Sequence, residues 1–325
     1  MKRVYAAVLM VLLAAGVFAE GSPERAAAAF PQEKPIRILN PYGAGGGVDN
    51  AARILAGVAP ELVGQRIDVI SMPGAGGQEA IAFVLDQPRD GYTLLVTDYG
   101  PLVTTALTEN VGYRLTDWVP VFEITETVPV FFARADSPIK SIADWVAALK
   151  AAPESLSVGH GRYLSVPHLP LILFENIAGV KNTQVPTTGG SEALAFVLGR
   201  KVDLGASVPS TIAGSVKSGD LRALAVCSAQ RVAALPDTPT MRELGYDVVL
   251  PAWYTIFAHK DVPAERIEYL RAKFSEAMAS PSATTLAGKA NVLLSPAYTG
   301  AQLASIYETT IKGLTAVLGS IGKLR

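Results

Sequence analysis

The sequence predicts an α/β protein of two domains around a cleft, on three observations. From Ile36 onward, short β-rich runs alternate with segments of helical periodicity, the pattern of a largely parallel sheet. Two glycine loops, 41–47 (PYGAGGG) and 73–77 (PGAGG), each join such a run to a helical segment. Two apolar extended runs broken by proline, 124–134 (ITETVPVFFAR) and 248–257 (VVLPAWYTIF), mark places where the chain crosses between domains, because proline prevents full pairing in a central strand.

Taken in order, the chain opens with Lys2 and Arg3, an apolar stretch over 4–18 and small residues at Val17 and Ala19. That is the layout of a cleaved signal peptide over 1–19, followed by a flexible spacer over 20–33. The mature protein is therefore expected to be exported and soluble. Strands are expected at 36–40, 67–71, 92–97, 156–158, 183–185, 202–206 and 221–227. Helices are expected to begin near Asp49, Gln78, Ser141, Ser165, Ser191, Ser210, Met241, Ala264 and Thr299. Ser141 with Asp144 three residues on makes a capping pattern; Ile142, Trp145, Val146 and Leu149 keep helical spacing until Pro153 stops it. Residues 34–124 and 253–325 then form one domain and 125–252 the other.

Bulk properties narrow the function. Of 325 residues, 50% are hydrophobic and 18% charged, a globular composition, and the net charge is −1. With no long basic run, nucleic acid and anionic membrane are not the expected partners. A single cysteine, Cys227, excludes a disulfide within the chain and is expected to be a buried thiol. Three histidines and one cysteine give no metal-ligand spacing.

Glycine allows positive φ and close approach of a ligand to backbone, and a helix N-terminus behind the loop adds free N–H groups and the positive end of a dipole. Two such loops at the carboxyl ends of strands suit a small anion. A dinucleotide fits poorly. Residues 43–48 put Val48 where the last glycine of the fingerprint should stand, and the acidic residue expected about twenty positions on is Asp68, inside a strand. Asp49 reads as a helix N-cap. In the middle domain, the turns around Gly161 and Gly189 carry Arg162, Ser165, Thr187, Thr188 and Ser191. Their hydroxyls suit a carboxylate or a helix cap, and Arg162 suits a fork-to-fork pair with a carboxylate or a place in solvent. His168 reads as a structural histidine. Trp253 and Tyr254 read as a cleft wall or as core. There is no G-x-S-x-G elbow, H-E-x-x-H or P-loop, so the residues point to binding.

At this point the chain resembles a known family. KPIRILNPYGAGGGVDNAAR, the PGAGG turn, the phrase DGYTLL at 90–95 and LRALAVCSAQRVAALPDTPTMRELGY are similar to Bug-type receptors of tripartite tricarboxylate transporters, from about Pro31 to the C-terminus. The resemblance implies a type II periplasmic binding protein fold: two α/β domains, a two-segment hinge and a ligand cleft. It implies a monomeric periplasmic receptor, without cofactor, that passes a small carboxylate to the membrane subunits of a transporter. A sensory receptor is the neighbouring alternative and a cofactor-using enzyme the remote one. It also implies that the two glycine loops grip the carboxylate, through Tyr42, Gly45, Gly46, Gly74, Ala75 and Gly76, with Thr97 and Asp98 next. Across the cleft the matching positions are Gly161, Ser165, His168, Thr188, Gly189, Ser207 and Val208. Met72 replaces the family's usual Arg before PGAGG, 187–189 (TTG) replaces a common Tyr-Lys-Gly, and Arg162 is gained. The distal part of the ligand is therefore expected to differ, with Arg162 at that end.

Overall fold

The computed structural model describes residues 30–325, so the expected signal peptide and most of the spacer lie outside the described residues. Two five-stranded mixed sheets form two α/β domains. The first sheet has β1 (Ile36–Asn40), β2 (Ile67–Ser71), β3 (Thr93–Thr97), β4 (Trp118–Thr127) and β10 (Ala252–His259), in the order β2-β1-β3-β10-β4. The second has β5 (Val130–Arg134), β6 (Ser157–His160), β7 (Thr183–Pro186), β8 (Leu204–Ser207) and β9 (Leu221–Val226), in the order β7-β6-β8-β5-β9. Both repeat one plan: three parallel strands, a fourth that arrives from the other domain and runs against them, and a fifth antiparallel to the fourth.

The expectation of largely parallel sheets holds for the direction of four strands in each, while β10 and β5 run against them and make half of the pairings antiparallel. Runs 124–134 and 248–257 contain strands rather than interrupted connections. Val128 and Pro129 fall between β4 and β5, and Pro251 precedes β10, so neither proline removes a ladder donor. Pro120 sits inside β4, but β4 is an edge strand, where a missing N–H costs nothing. The first sheet holds the chain through Thr127, three residues past the expected 124, and takes it back at Ala252. Between the crossings, Cys227 stitches the hinge: its N–H donates to Pro129 O at 2.8 Å, and Leu250 N–H donates to its carbonyl at 3.0 Å. Burial raises the Cys227 thiol pKa far above its ordinary value.

The helices are α1 (Gly47–Val58), α2 (Pro60–Val63), α3 (Gln78–Asp86), α4 (Thr105–Thr108), α5 (Ile142–Ala151), α6 (His168–Ala178), α7 (Gly190–Leu198), α8 (Pro209–Lys217), α9 (Ala264–Met278), α10 (Pro281–Lys289) and α11 (Gly300–Ser320). In α1, Val48, Ala51, Ala52 and Leu55 recur at helical spacing and are buried in the core of the first sheet, each large aliphatic side chain contributing about 1.5–3 kcal/mol. Met241 starts no helix. It lies in a turn, its N–H held by Val226 O at 2.9 Å. Helix α10, capped by Ser280, was not anticipated because its short apolar pattern is weak. Among the described residues no helix is long and apolar enough to cross a membrane.

The domains are closed on each other. One apolar cluster runs across the cleft, joining Tyr99, Leu102 and Val103 of the first domain to Leu164, Val166, Leu169 and Val208 of the second. Three hydrogen bonds cross as well: Thr104 Oγ1 to Leu164 O (3.1 Å), Arg162 Nη2 to Thr105 Oγ1 (2.5 Å) and Ser191 Oγ to Ala44 O (3.3 Å).

Candidate functional site

Closure leaves a small chamber at the ends of β1, β3 and β8. Tyr42, Gly46, Gly47, Val48 and Asp98 line it from the first domain, Gly161, Ser165, Val166, Pro167, Gly189, Gly190, Ser207, Val208 and Thr211 from the second, and Tyr254 from the hinge strand β10. About 40 Å³ inside is open to the centre of a water-sized molecule.

Four helices begin at this chamber. Gly46 precedes α1, Pro167 precedes α6, Gly189 precedes α7 and Val208 precedes α8, and none of these four supplies a capping side chain. Elsewhere Ser141, Ser280 and Thr299 cap their helices through their hydroxyls. First-turn N–H groups have no acceptor within their own helix. Not all of them are free at the chamber: in α6 His168 and Leu169 donate to Ser165 O and Pro170 has no N–H, and in α8 Thr211 donates to Val208 O, so the starts of α1 and α7 and the Ser210 N–H remain to add their dipoles to the shared space.

Side-chain hydroxyls add to this field. Ser165 Oγ, Ser207 Oγ and Thr211 Oγ1 are buried without a hydrogen-bond partner among protein atoms, and Ser165 and Ser207 are almost wholly buried as residues. Burying an unpaired hydroxyl costs about 1–3 kcal/mol, so three beside one cavity signal a polar guest. Ser165 was expected near a helix start. It lies three residues before α6 and caps it with its carbonyl, which accepts His168 and Leu169 N–H at 3.0 Å each, and this leaves its hydroxyl for the chamber.

The first glycine loop is shaped from behind. Asp49 is inside α1, not at its N-cap, and its carboxylate accepts from Gly45 N (2.9 Å), Arg53 Nε (2.7 Å) and Ser71 Oγ (3.3 Å). Burial pushes its pKa up, but these bonds, Arg53 first, bring it below the ordinary carboxylate value. Gly47 is required by close approach. A Cβ there would meet Tyr254 Oη at 2.6 Å and Val208 Cγ2 at 2.7 Å, so the two domains touch at this point because it has no side chain.

Asp98 is the one acid in the chamber lining. Tyr42 Oη donates to both its oxygens at 2.8 Å, and Gly100 N–H donates to Oδ1 at 2.6 Å. Burial raises it to about 6, against the opposing pull of those bonds and of the Arg162 charge.

Of the sequence-derived candidates, Tyr42, Gly46, Asp98, Gly161, Ser165, Gly189, Ser207 and Val208 line the chamber, while Gly45, Gly74, Ala75, Gly76, Thr97, Arg162, His168 and Thr188 do not. The second glycine loop serves other contacts. Its Ala75, Gly76 and Gly77 take positive φ, the Glu79 carboxyl lies where a Gly74 side chain would be, and Arg162 Nε would sit 2.9 Å from a Gly76 Cβ. Thr97 Oγ1 donates to Asp98 O, and Thr188 donates to Glu192 at the exposed start of α7. His168 accepts Leu164 N–H at Nδ1 (2.8 Å), so Nε2 carries the proton that meets Gln184 Oε1 (2.9 Å). Gly47, Val48, Val166, Pro167, Gly190 and Thr211 were not singled out from sequence. Thr211 was within reach: Pro209 marks a first helical position, which puts Thr211 on the turn facing back toward the cap.

Residues 51–314 match the model of the tripartite tricarboxylate transporter family receptor. The chain belongs to that family. This family member is 34% identical over 246 residues to the UPF0065 protein in the TAR-I ttuE-ttuC' intergenic region of Agrobacterium vitis, covering 75% of this chain and 70% of that one. The structure of the periplasmic binding protein BugD superposes with a TM-score of 0.84 at 25% identity, covering 90% of the receptor and 99% of BugD. MatC from Rhodopseudomonas palustris with bound malate gives a TM-score of 0.82 at 26% identity, covering 88% and 99%. The receptor is thus a solute-binding protein of a periplasmic transport family, built as two α/β domains around a cleft.

Proposed function

We propose that this receptor captures a small carboxylate in the closed chamber and hands it to the membrane subunits of a tripartite transporter. The observation that carries the reading is the meeting of the starts of α1, α7 and α8, none with a side-chain cap, and three partnerless hydroxyls at one interdomain space. A carboxylate offers several lone pairs to such donors without needing a cationic side chain. Malate in the related MatC structure supports the same ligand class. Ligand and closure are linked, since the hydroxyls come from one domain and the α1 N-terminus from the other. Binding therefore shifts an open–closed equilibrium, and the transporter would read the closed form. The N-terminal pattern of Lys2, Arg3 and the apolar 4–18 stretch supports export through a cleaved signal peptide. Both walls of the chamber come from one chain, which suits a monomer. Thermal denaturation of the mature protein against a panel of small carboxylic acids and matched neutral amides tests the reading. At least one acid should raise Tm in a concentration-dependent way while its amide does not; stabilisation by neither, or equally by both, contradicts it.

A further inference from the structure

Tyr254 borders a second and larger cavity besides the chamber. About 570 Å³ of it is open to the centre of a water-sized molecule, against about 40 Å³ in the chamber, and that is the scale of a site for a small organic molecule. Both domain crossings line it, the first through 125–128 and the second through Val249 and Pro251. The first domain adds 291–293 after α10, and the second adds the start of α8 and the loop 228–234 after β9. Its walls differ from those of the chamber. None of the buried polar side-chain atoms that lack a partner belongs to a residue of this lining. The Thr125 hydroxyl is taken by the Glu126 and Leu293 carbonyls, and Ser228 Oγ donates to Gln230 O at 2.6 Å. Glu126 and Arg231 are the charged residues of the lining, both exposed, and Arg231 Nε is held by both Glu243 oxygens at 3.1 Å. An anion therefore finds no free cation there, and the Glu126 charge is screened by water. What the walls do offer is aliphatic surface, from Val128, Val232, Val249 and Val292 to Leu293, which is left 74% exposed at the rim.

We propose that this hinge cavity is a second ligand site, for a small uncharged molecule with an apolar ring, and that filling it favours the closed receptor. Residues of both domains and both crossings form its walls, so its shape changes when the domains rotate about the hinge. The shape described here belongs to the closed state. A molecule that fits it binds that state better and shifts the open–closed equilibrium toward it. By linkage, the hinge guest and the solute in the chamber strengthen each other's binding. The site goes beyond the carboxylate reading and depends on it only for that coupling.

The probe is 2-phenylethanol, with 2-phenylethylamine as its charged counterpart, titrated calorimetrically into the receptor. Wild type should bind the alcohol saturably and about fivefold or more tightly than the amine, which must shed its hydration without a buried counter-charge. Ala233→Trp, an exposed loop position whose larger side chain would occupy the cavity, should weaken the alcohol by about tenfold or more. Leu293→Ser should weaken it by about threefold, and decides the matter should Ala233→Trp not fold. With 2-phenylethanol saturating, the acid that most stabilises the receptor should bind about fivefold more tightly than without it. Absence of saturable binding, binding that both variants leave untouched, or an amine that binds as tightly as the alcohol overturns the site. An acid whose affinity is unchanged or reduced overturns the coupling. Because the alcohol is titrated without any acid, failure of the carboxylate reading leaves the test of the hinge site standing.

Discussion

At the residue scale, the closed state depends on what is missing at Gly47. Alanine is a better helix former than glycine, but the methyl of Gly47→Ala at the first turn of α1 also presses on Tyr254 Oη of the same domain, so the ligand-free protein should lose some stability. The same methyl would meet Val208 of the second domain across the closing surface. Calorimetry should therefore show affinity reduced by about tenfold or more, equivalent to at least about 1.4 kcal/mol, at a temperature where the ligand-free variant is still fully folded. Unaltered affinity would mean that the receptor binds without closing to this contact. Several chamber residues were legible through the family resemblance, Ser207 and Val208 after β8 and Gly46 before α1 among them. Tyr254 was ambiguous between wall and core, and the structure makes it both: it is 3% exposed, packs in the core of the first sheet and closes the chamber floor. The second glycine loop lies outside the chamber lining, and its glycines have a conformational use of their own. Positive φ is needed there to turn the chain over Glu79 and under Arg162, and the same glycines would look alike if they faced a ligand.

At the element scale, the segment 161–165 of the second domain clasps 100–105 of the first. Thr104 and Arg162 supply one hydrogen bond each, and Leu164 enters the apolar cluster against Tyr99 and Leu102. Arg162 was expected at the distal end of the ligand; its side chain lies beside the Gly76 turn, with Nε and Nη1 buried and without protein partners. Removing a clasp that forms only on closure should speed reopening. Arg162→Ala should raise the ligand dissociation rate by about tenfold, since a hydrogen bond from a charged group contributes about 1.5–3 kcal/mol. Stopped-flow release that matches wild type would show that Arg162 holds nothing shut. Helix starts were readable with and without a capping side chain: Ser141 and Thr299 cap theirs, and Ser191 and Ser210 stand next to the first residues of α7 and α8. Asp49 and Ser165 fall further from the starts of α1 and α6, where glycine and proline precede the helix and no side chain marks its end. Strands β4, β5 and β10 were hidden because proline was treated as a breaker. Pro129 and Pro251 lie just outside strands, and Pro120 lies on an edge, all places that proline tolerates.

At the scale of the whole molecule, folding buries a pair of histidines whose protonation opposes it. His160 and His168 stack with ring centroids 3.9 Å apart, and Nδ1 of His160 is held by Gly161 O. Burial lowers His160 to about 4; burial, then the neighbouring His160, with Arg162 and Lys323 adding to it, lowers His168 to about 3. The unfolded chain protonates both below about 6.5, so between that pH and about 4 it binds more protons than the native state, and stability falls on acidification. Asp98 acts in the opposite sense. Its native carboxyl takes a proton near pH 6, whereas the unfolded one waits until about 3.9, so it adds stability over the same window. Two imidazoles against one carboxyl leave a net loss from these three groups. His160→Gln should therefore lose less stability than wild type between pH 7 and pH 4.5 in urea titrations, and an equal loss in both proteins would remove the histidine pair from the account.

The central claim is that the hydroxyl-lined, uncapped chamber receives the ligand carboxylate, and Ser207 tests it most directly. Its Oγ is buried, lacks a protein partner and lines the space shared by α7 and α8. Ser207→Ala removes one donor with almost no change in volume. Titrated with the most strongly stabilising acid, it should bind about tenfold more weakly than wild type, with its ligand-free stability equal or higher because a partnerless buried hydroxyl has been removed. Wild-type affinity in Ser207→Ala, with the fold intact, would place the carboxylate elsewhere and contradict the account.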